Sequence, residues 1–195
     1  VDLAGGLRFH ALVLAAGFGS RFGGGKLLAP WRGGALIDGA LDAAFAAPVE
    51  DVWVVVGADP AVAARALSRP AVQVVQANDY TSGMSASLKA GVAALPADAA
   101  GVLIFLGDMP LIPHAVLAPL VRAVAEGAPA AVPIWQGRQG HPAALSRRLF
   151  PLIQGLKGDR GARAVLDGLG DTLALIPSPD SGVLLDVDHP GDMPA

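Results

Sequence analysis

The chain has 195 residues, 53% of them apolar and 5% aromatic, with a formal net charge of −3. That length suits a single domain, residues 1–195, with a sizeable core, and the charge offers no basic patch for nucleic acid. There is no cysteine, which excludes disulfides, thiolate metal sites and cysteine nucleophiles and fits a cytoplasmic protein.

Residues 1–10 lack the charged region and apolar core of a signal peptide, and no run reaches the ~18 apolar residues of a membrane span. The first predicted element is a strand over 9–15, apolar on both faces as in a buried parallel sheet. It runs into a loop with Gly17, Gly19, Gly23, Gly24 and Gly25, interrupted by Arg21 and Lys26. Glycine lets backbone N–H groups approach an anion, and the cations supply charge, so the simplest chemistry is polyphosphate binding. The same residues would also make a flexible turn with two solvated cations. Two familiar phosphate loops do not match. Lys26 is followed by Leu27 rather than Ser or Thr, and Phe22 stands where a dinucleotide fingerprint needs its third glycine.

Further strands are predicted at 52–56, 72–76, 102–106 and 130–134, with late strands at 173–176 and 183–187. Helices are predicted at 36–46, 61–67, 85–95, 113–125, 146–152 and 162–169, with Pro113 as a first helical residue and Ser82 or Ser85 as an N-cap. This alternation predicts an α/β fold, a mostly parallel sheet with helices on both faces. The Pro- and Gly-rich stretch 129–142 is the least regular part.

Asp108 follows the strand at 102–106 directly, between Gly107 and Met109-Pro110. That position suits a hard cation such as Mg²⁺, which takes one or two carboxylates and completes its shell with water and substrate phosphates; it equally suits a turn or capping Asp. Asp186 and Asp188 follow the last apolar run, and strand alternation would set them on one face. The segment 156–163 reads as a loop entering a helix N-terminus, open to a second anion. His141, before Pro142, reads as a proton shuttle or, more often in such turns, as a residue that serves the backbone.

Six segments together resemble the molybdenum cofactor nucleotidyltransferase family, and its cytidylyltransferase branch in particular. They are LAAGFGSRFGGGK (14–26), NDYTSGMSASLKAG (78–91), GDMP (107–110), GRQGHP (137–142), LKGDRGAR (156–163) and DVDHPGD (186–192). The resemblance implies a Rossmann-like nucleotidyltransferase three-layer sandwich, Mg²⁺ dependence and transfer of CMP from CTP to the terminal phosphate of molybdopterin. Pyrophosphate would be released, and a molybdenum enzyme would receive the product. It implies that Leu14, Ala15, Ala16, Gly17, Gly19, Ser20, Asn78, Gly83 and Ser87 bind nucleotide. Arg21, Lys26 and Asp108 would be catalytic and also bind nucleotide, with Arg21 and Lys26 on the phosphates, Asp108 and Asp188 on metal, and Gly140, His141, Pro142, Asp159 and Arg163 on the second substrate. Ala16 stands where the guanylyltransferase branch usually has Gly, which favours CTP over GTP. His189 departs from the family's usual Thr. Two readings of other classes remain: an NAD(P)H-dependent oxidoreductase, and a non-catalytic carrier of the molybdenum cofactor.

Overall fold

Alternation along the opening strand divides the molecule into two cores. In β1 (Arg8–Ala15) Phe9, Ala11, Val13 and Ala15 pack to one side and Leu12 to the other. The structure, a computed structural model, describes residues 6–17 and 22–193. β2 (Pro30–Trp31) and β3 (Gly34–Ala35) form a small hairpin ahead of α1 (Leu36–Ala46). There follow β4 (Val52–Val56), α2 (Pro60–Leu67), β5 (Val72–Gln76), α3 (Met84–Ala94), β6 (Ala99–Leu106), α4 (Leu117–Ala125) and β7 (Ala130–Trp135). Then come β8 (Arg138–Gln139), β9 (Ala143–Ser146), α5 (Phe150–Gln154), α6 (Arg163–Leu166) and β10 (Leu173–Pro177).

The main sheet runs β10-β7-β9-β6-β1-β4-β5, with β8 on β7. β1 pairs in parallel with β4 and β6, β4 with β5, and β7 with β10; only β8 and β9 run antiparallel to their neighbours. One core joins the sheet to α1, α2 and α4, the other joins it to α3, α5 and α6. The predicted α/β architecture, a mostly parallel sheet between two helical layers, is what forms. Among the described residues no helix is long and apolar enough to cross a membrane.

Several local expectations are corrected. Of the predicted helix at 146–152, Ser146 ends strand β9, Arg147–Leu149 is a 3₁₀ turn and the α-helix begins only at Phe150. Ala143, Ala144 and Leu145 are fully buried between β6 and β7, so pairing overrides their helical propensity. No strand forms at 183–187. Ser181–Leu184 is a 3₁₀ turn, and Val183 and Val187 are buried from irregular backbone. The backbone bonds there go elsewhere: Val183 O accepts from His141 N at 2.8 Å, and Val187 N donates to Asp108 O at 3.0 Å. Asp186 is therefore exposed while Asp188 is half-buried, not paired on one strand face. Neither Ser82 nor Ser85 caps α3. Gly83 is its N-cap, and the buried Ser85 donates its backbone N–H to Gly158 O at 3.1 Å. Pro113 precedes a 3₁₀ turn, His114–Val116, that leads into α4.

α1 is fixed at its start by Asp38, whose carboxylate accepts from Ala35 N at 2.7 Å and from Arg65 Nε at 2.9 Å. Burial opposes its ionisation, but the Arg65 and Ala35 hydrogen bonds outweigh that and hold its pKa below the usual carboxylate value. At the next residue, Gly39, α1 meets the loop after β6. A Cβ there would lie 2.4 Å from Pro110 O. Gly39→Ala should therefore destabilise by roughly 1–3 kcal/mol through overpacking, read as a lowered Tm. Gly168→Ala, whose nearest non-local atom would be 3.5 Å away, should leave Tm nearly unchanged. Equal melting of the two variants would refute the close approach.

His10 is 1% exposed on β1, and neither ring nitrogen has a hydrogen-bond partner. Its Nδ1 stands 3.4 Å from Asp51, in a cluster with Glu50, Arg8 and Asp98. Burial pushes its pKa down, against the pull of Asp51 and Glu50. The folded state therefore prefers the neutral ring. Its contribution to stability is present above the unfolded value of about 6.5 and fades as pH falls below it toward the lower folded pKa. Melting curves between about pH 8 and 5 should show Tm declining on the acid side, more shallowly in His10→Leu than in the wild type. An unchanged slope would remove His10 from the acid response.

Candidate functional site

The strand order reverses at β1. β4 and β5 build outward on one side of it, β6 on the other. Open α/β sheets bind ligands outside the carboxyl ends of their strands at such a switch point. Here the loops after β1 and β6 open side by side, because Leu14 pairs with Leu106 and Gly107 N continues the ladder to Leu14 O at 2.9 Å.

Lys26 opens a single 3₁₀ turn, Lys26–Leu28, after Gly25. Its Nζ donates to Asp108 Oδ2 at 2.7 Å and reaches Asp188 Oδ1 at 3.4 Å. The lysine side chain is only 11% exposed, against 24% for Asp108 and 39% for Asp188. Asp188 arrives on the C-terminal segment that Val187 fastens to Asp108 O. That turn is held by Asp192, whose carboxylate accepts from Asp188 N and His189 N. Asp108 and Asp188 are hard oxygen donors converging from separate loops. Such a pair fits a divalent cation that takes its remaining ligands from water and phosphates.

Lys26 and Asp108 face a cleft of about 400 Å³, which Leu14, Ala16, Gly17, Gly83, Ser87 and Asp159 also line. Its far wall is the start of α3. Gly83 has φ +101°, and a Cβ there would lie within 2.6 Å of Gly158 O and Asp159 Oδ1. Only glycine lets the 156–161 loop lie this close, and that approach seats Asp159 in the wall. A second hollow of about 260 Å³ shares Ala16, Gly17 and Lys26 and adds Ala15, Gly57, Ala58 and Asp59.

The remaining predicted residues divide. Asn78 lies off the cleft, in a separate hollow with Ser85, Lys89 and Lys157. Gly140 N donates to Pro133 O and His141 N to Val183 O, both at 2.8 Å. The His141 Nδ1 is buried without a partner. Burial lowers its pKa, and Asp108 and Asp186 are among the charges acting on it. Pro142 is buried beside it. Arg163 is exposed and pairs with Asp167 at 2.7 Å, outside the cleft lining. Gly19, Ser20 and Arg21 lie outside the described residues. Sequence reasoning passed over Leu27, Tyr80, Thr81, Met84 and Leu106, which line the cleft, and Gly57–Asp59 in the second hollow. The latter group had a signal, since it directly follows a buried strand at the same sheet edge.

Among characterised proteins, the chain is 33% identical over 186 residues to nicotine blue oxidoreductase of Paenarthrobacter nicotinovorans, covering 91% of this chain and 90% of the relative. It is 33% identical over 191 residues to the purine catabolism protein PucB of Bacillus subtilis, covering 92% and 91%. It is 25% identical over 182 residues to the molybdenum cofactor cytidylyltransferase of Escherichia coli, covering 93% and 91%. The crystal structure of Rv0371c from Mycobacterium tuberculosis superposes with a TM-score of 0.85 at 27% identity over 95% of each chain. A manganese complex of the same protein gives 0.79 at 25%, again over 95% of each. Residues 11–173 match the family described as MobA-like NTP transferase domain, a span that takes in both loops meeting at Lys26 and Asp108. The chain belongs to this MobA-like family and is a nucleotidyltransferase.

Proposed function

We propose that the protein transfers CMP from CTP to the terminal phosphate of a molybdopterin-type acceptor, with Mg²⁺, releasing pyrophosphate. The observation that carries this reading is the Lys26 ammonium set between Asp108 and Asp188 at the mouth of the cleft. One cation and two carboxylates at a sheet switch point suit a triphosphate and its metal. The acceptor and the base draw support from the cytidylyltransferase of Escherichia coli and from Ala16, and the metal from the manganese complex of Rv0371c.

An oxygen of the acceptor's terminal phosphate attacks the α-phosphorus of CTP. The new O–P bond forms as the bond from that phosphorus to the bridging oxygen breaks, and the electron pair leaves on pyrophosphate. The nucleophile is already an anion, so no strong base is required. Catalysis rests on alignment and charge neutralisation. Lys26 and, by resemblance, Arg21 bind the phosphates. Asp108 and Asp188 would hold the Mg²⁺, which when bound neutralises charge on the triphosphate. Leu14, Ala16, Gly17 and Ser87, which line the cleft, would bound the nucleotide, and Asp159 and Met84, also in its lining, would meet the acceptor. His141 and Pro142 would shape that side from the neighbouring turn.

A second reading is favoured by one observation, the 33% identity to a relative named as an oxidoreductase. Hydride transfer does not call for a lysine between two carboxylates, and Phe22 breaks the dinucleotide fingerprint.

The deciding experiment incubates the protein with Mg²⁺ and each NTP, with and without molybdopterin, and measures pyrophosphate. CTP with acceptor should be the productive pair. A faster rate with GTP would replace the base. Hydride transfer from NAD(P)H without pyrophosphate would replace the reaction, and pterin binding without turnover would make the protein a carrier. Lys26→Ala and Asp108→Asn should each lower kcat by about 10²–10³-fold, the scale of losing one charge-stabilising contact, with the fold retained because both groups stand on loops outside the two cores. Full activity in either variant would remove that residue from the mechanism.

A further inference from the structure

Lys26 Nζ lies 2.7 Å from Asp108 Oδ2 and 3.4 Å from Asp188 Oδ1. On the nucleotidyltransferase reading, on which this inference rests, those carboxylates also hold the divalent cation while the ammonium binds phosphate. The ion pair and the loaded site thus draw on the same two carboxylates. Mg²⁺ sits about 2.1 Å from a carboxylate oxygen. A metal on Asp108 Oδ2, which is 2.7 Å from Nζ, would be no more than about 4.8 Å from the ammonium even on the opposite side of that oxygen. The lysine side chain is 11% exposed, so solvent does little to screen the repulsion. With the ammonium in place the three groups carry a net charge of −1, and without it −2. An incoming dication meets half the charge as long as Lys26 stays.

The backbone before Lys26 allows it to leave. Gly23, Gly24 and Gly25 have φ of +90°, +95° and +65°, and among the described residues nothing lies within 4 Å of where their Cβ atoms would be. Three consecutive left-handed glycines in open space let Lys26 re-aim without disturbing packed side chains. No such freedom exists on the carboxylate side, where Gly107 and Val187 tie both loops into the sheet ladder and to each other.

We propose that Lys26 is an interlock for metal loading. It holds Asp108 and Asp188 against free divalent cations and releases them when a triphosphate draws the ammonium away, so that metal and nucleotide enter together. Lys26 then has a positioning role before its role on the phosphates. Metal affinity should be low without nucleotide, and the lysine's charge should be the reason.

The test is a Mn²⁺ titration of the full chain, followed by the electron paramagnetic resonance signal of free Mn²⁺, with and without CTP and against a CTP-only blank. Wild type, Lys26→Met, Lys26→Gln, Lys26→Arg and Asp108→Asn are compared, each checked for folding by Tm. Without CTP, Lys26→Met and Lys26→Gln should bind Mn²⁺ at least about tenfold more tightly than wild type, as expected when a unit charge is removed from beside the site. Lys26→Arg should remain as weak as wild type. CTP should raise Mn²⁺ affinity strongly in wild type and little in the neutral variants. If wild type forms a CTP-dependent Mn²⁺ complex that Asp108→Asn abolishes, yet the neutral variants bind no more tightly than wild type without CTP, the interlock is overturned while the metal site stands. If no variant and no wild type binds Mn²⁺ with CTP, the metal site falls and the interlock with it.

Discussion

The contact on which the rest of the molecule depends is the Lys26 ammonium between two carboxylates. Its partners are 82 and 162 residues away in sequence, so the contact depends on long-range strand pairing rather than on local sequence. Leu14 against Leu106 sets the two loops side by side, and the Gly107–Leu14 hydrogen bond extends that register by one rung. Asp188 depends on a further step, since it is delivered by a segment that borrows Asp108's own carbonyl. The charged cluster therefore reports the correctness of the fold at three distant points.

Two packing devices keep those loops in place. On one face α1 lies so close to the loop after β6 that Gly39 sits against Pro110, and Ile37, Leu41 and Met109 are buried in the same core. On the other face α3 carries the cleft wall, anchored by Leu88 and Val92. The chemistry thus stands at a rim between two rigid cores, which holds charged groups in fixed geometry while leaving them partly wet. Full burial would have imposed a large desolvation cost on three ions. Partial burial at the rim retains their interaction and leaves room for a ligand.

Most of the sheet, and the convergence of Lys26 and Asp108 at its edge, were legible in the sequence because they rest on local signals. A buried strand followed by glycines and cations, or by Gly-Asp, carries its position with it, and Lys26, Asp108, Gly83 and Ser87 do share one cleft. What was not legible depends on long-range pairing. Ala143–Ser146 has helical composition and becomes a strand because β6 and β7 leave a slot of the right width. Val183 and Val187 alternate like strand residues, but they serve as plugs in a strap whose backbone is satisfied by His141 and Asp108. Asn78 sits in a quoted motif, yet the turn at Tyr80–Ser82 directs it to the far side of α3. Asp188 was identified by family resemblance, since no local pattern separates it from Asp186.

The same division explains how one scaffold can serve relatives with different names. The side of the cleft with Lys26 and Asp108 is made by the loops after β1 and β6, which the parallel register sets side by side. The opposite side is made by the turn at 137–142 and the loop at 156–161. These rest on the antiparallel strand β9, the C-terminal strap and one glycine contact at Gly83. Loops of that kind can change shape without disturbing the register of β1 and β6. A change in those loops would then cost little in stability, whereas a shift in the register of β1 and β6 would separate Lys26 from Asp108. The meeting of Lys26 with Asp108 is consequently the part of the cleft tied to the sheet, and the 137–142 and 156–161 loops are the part free to vary.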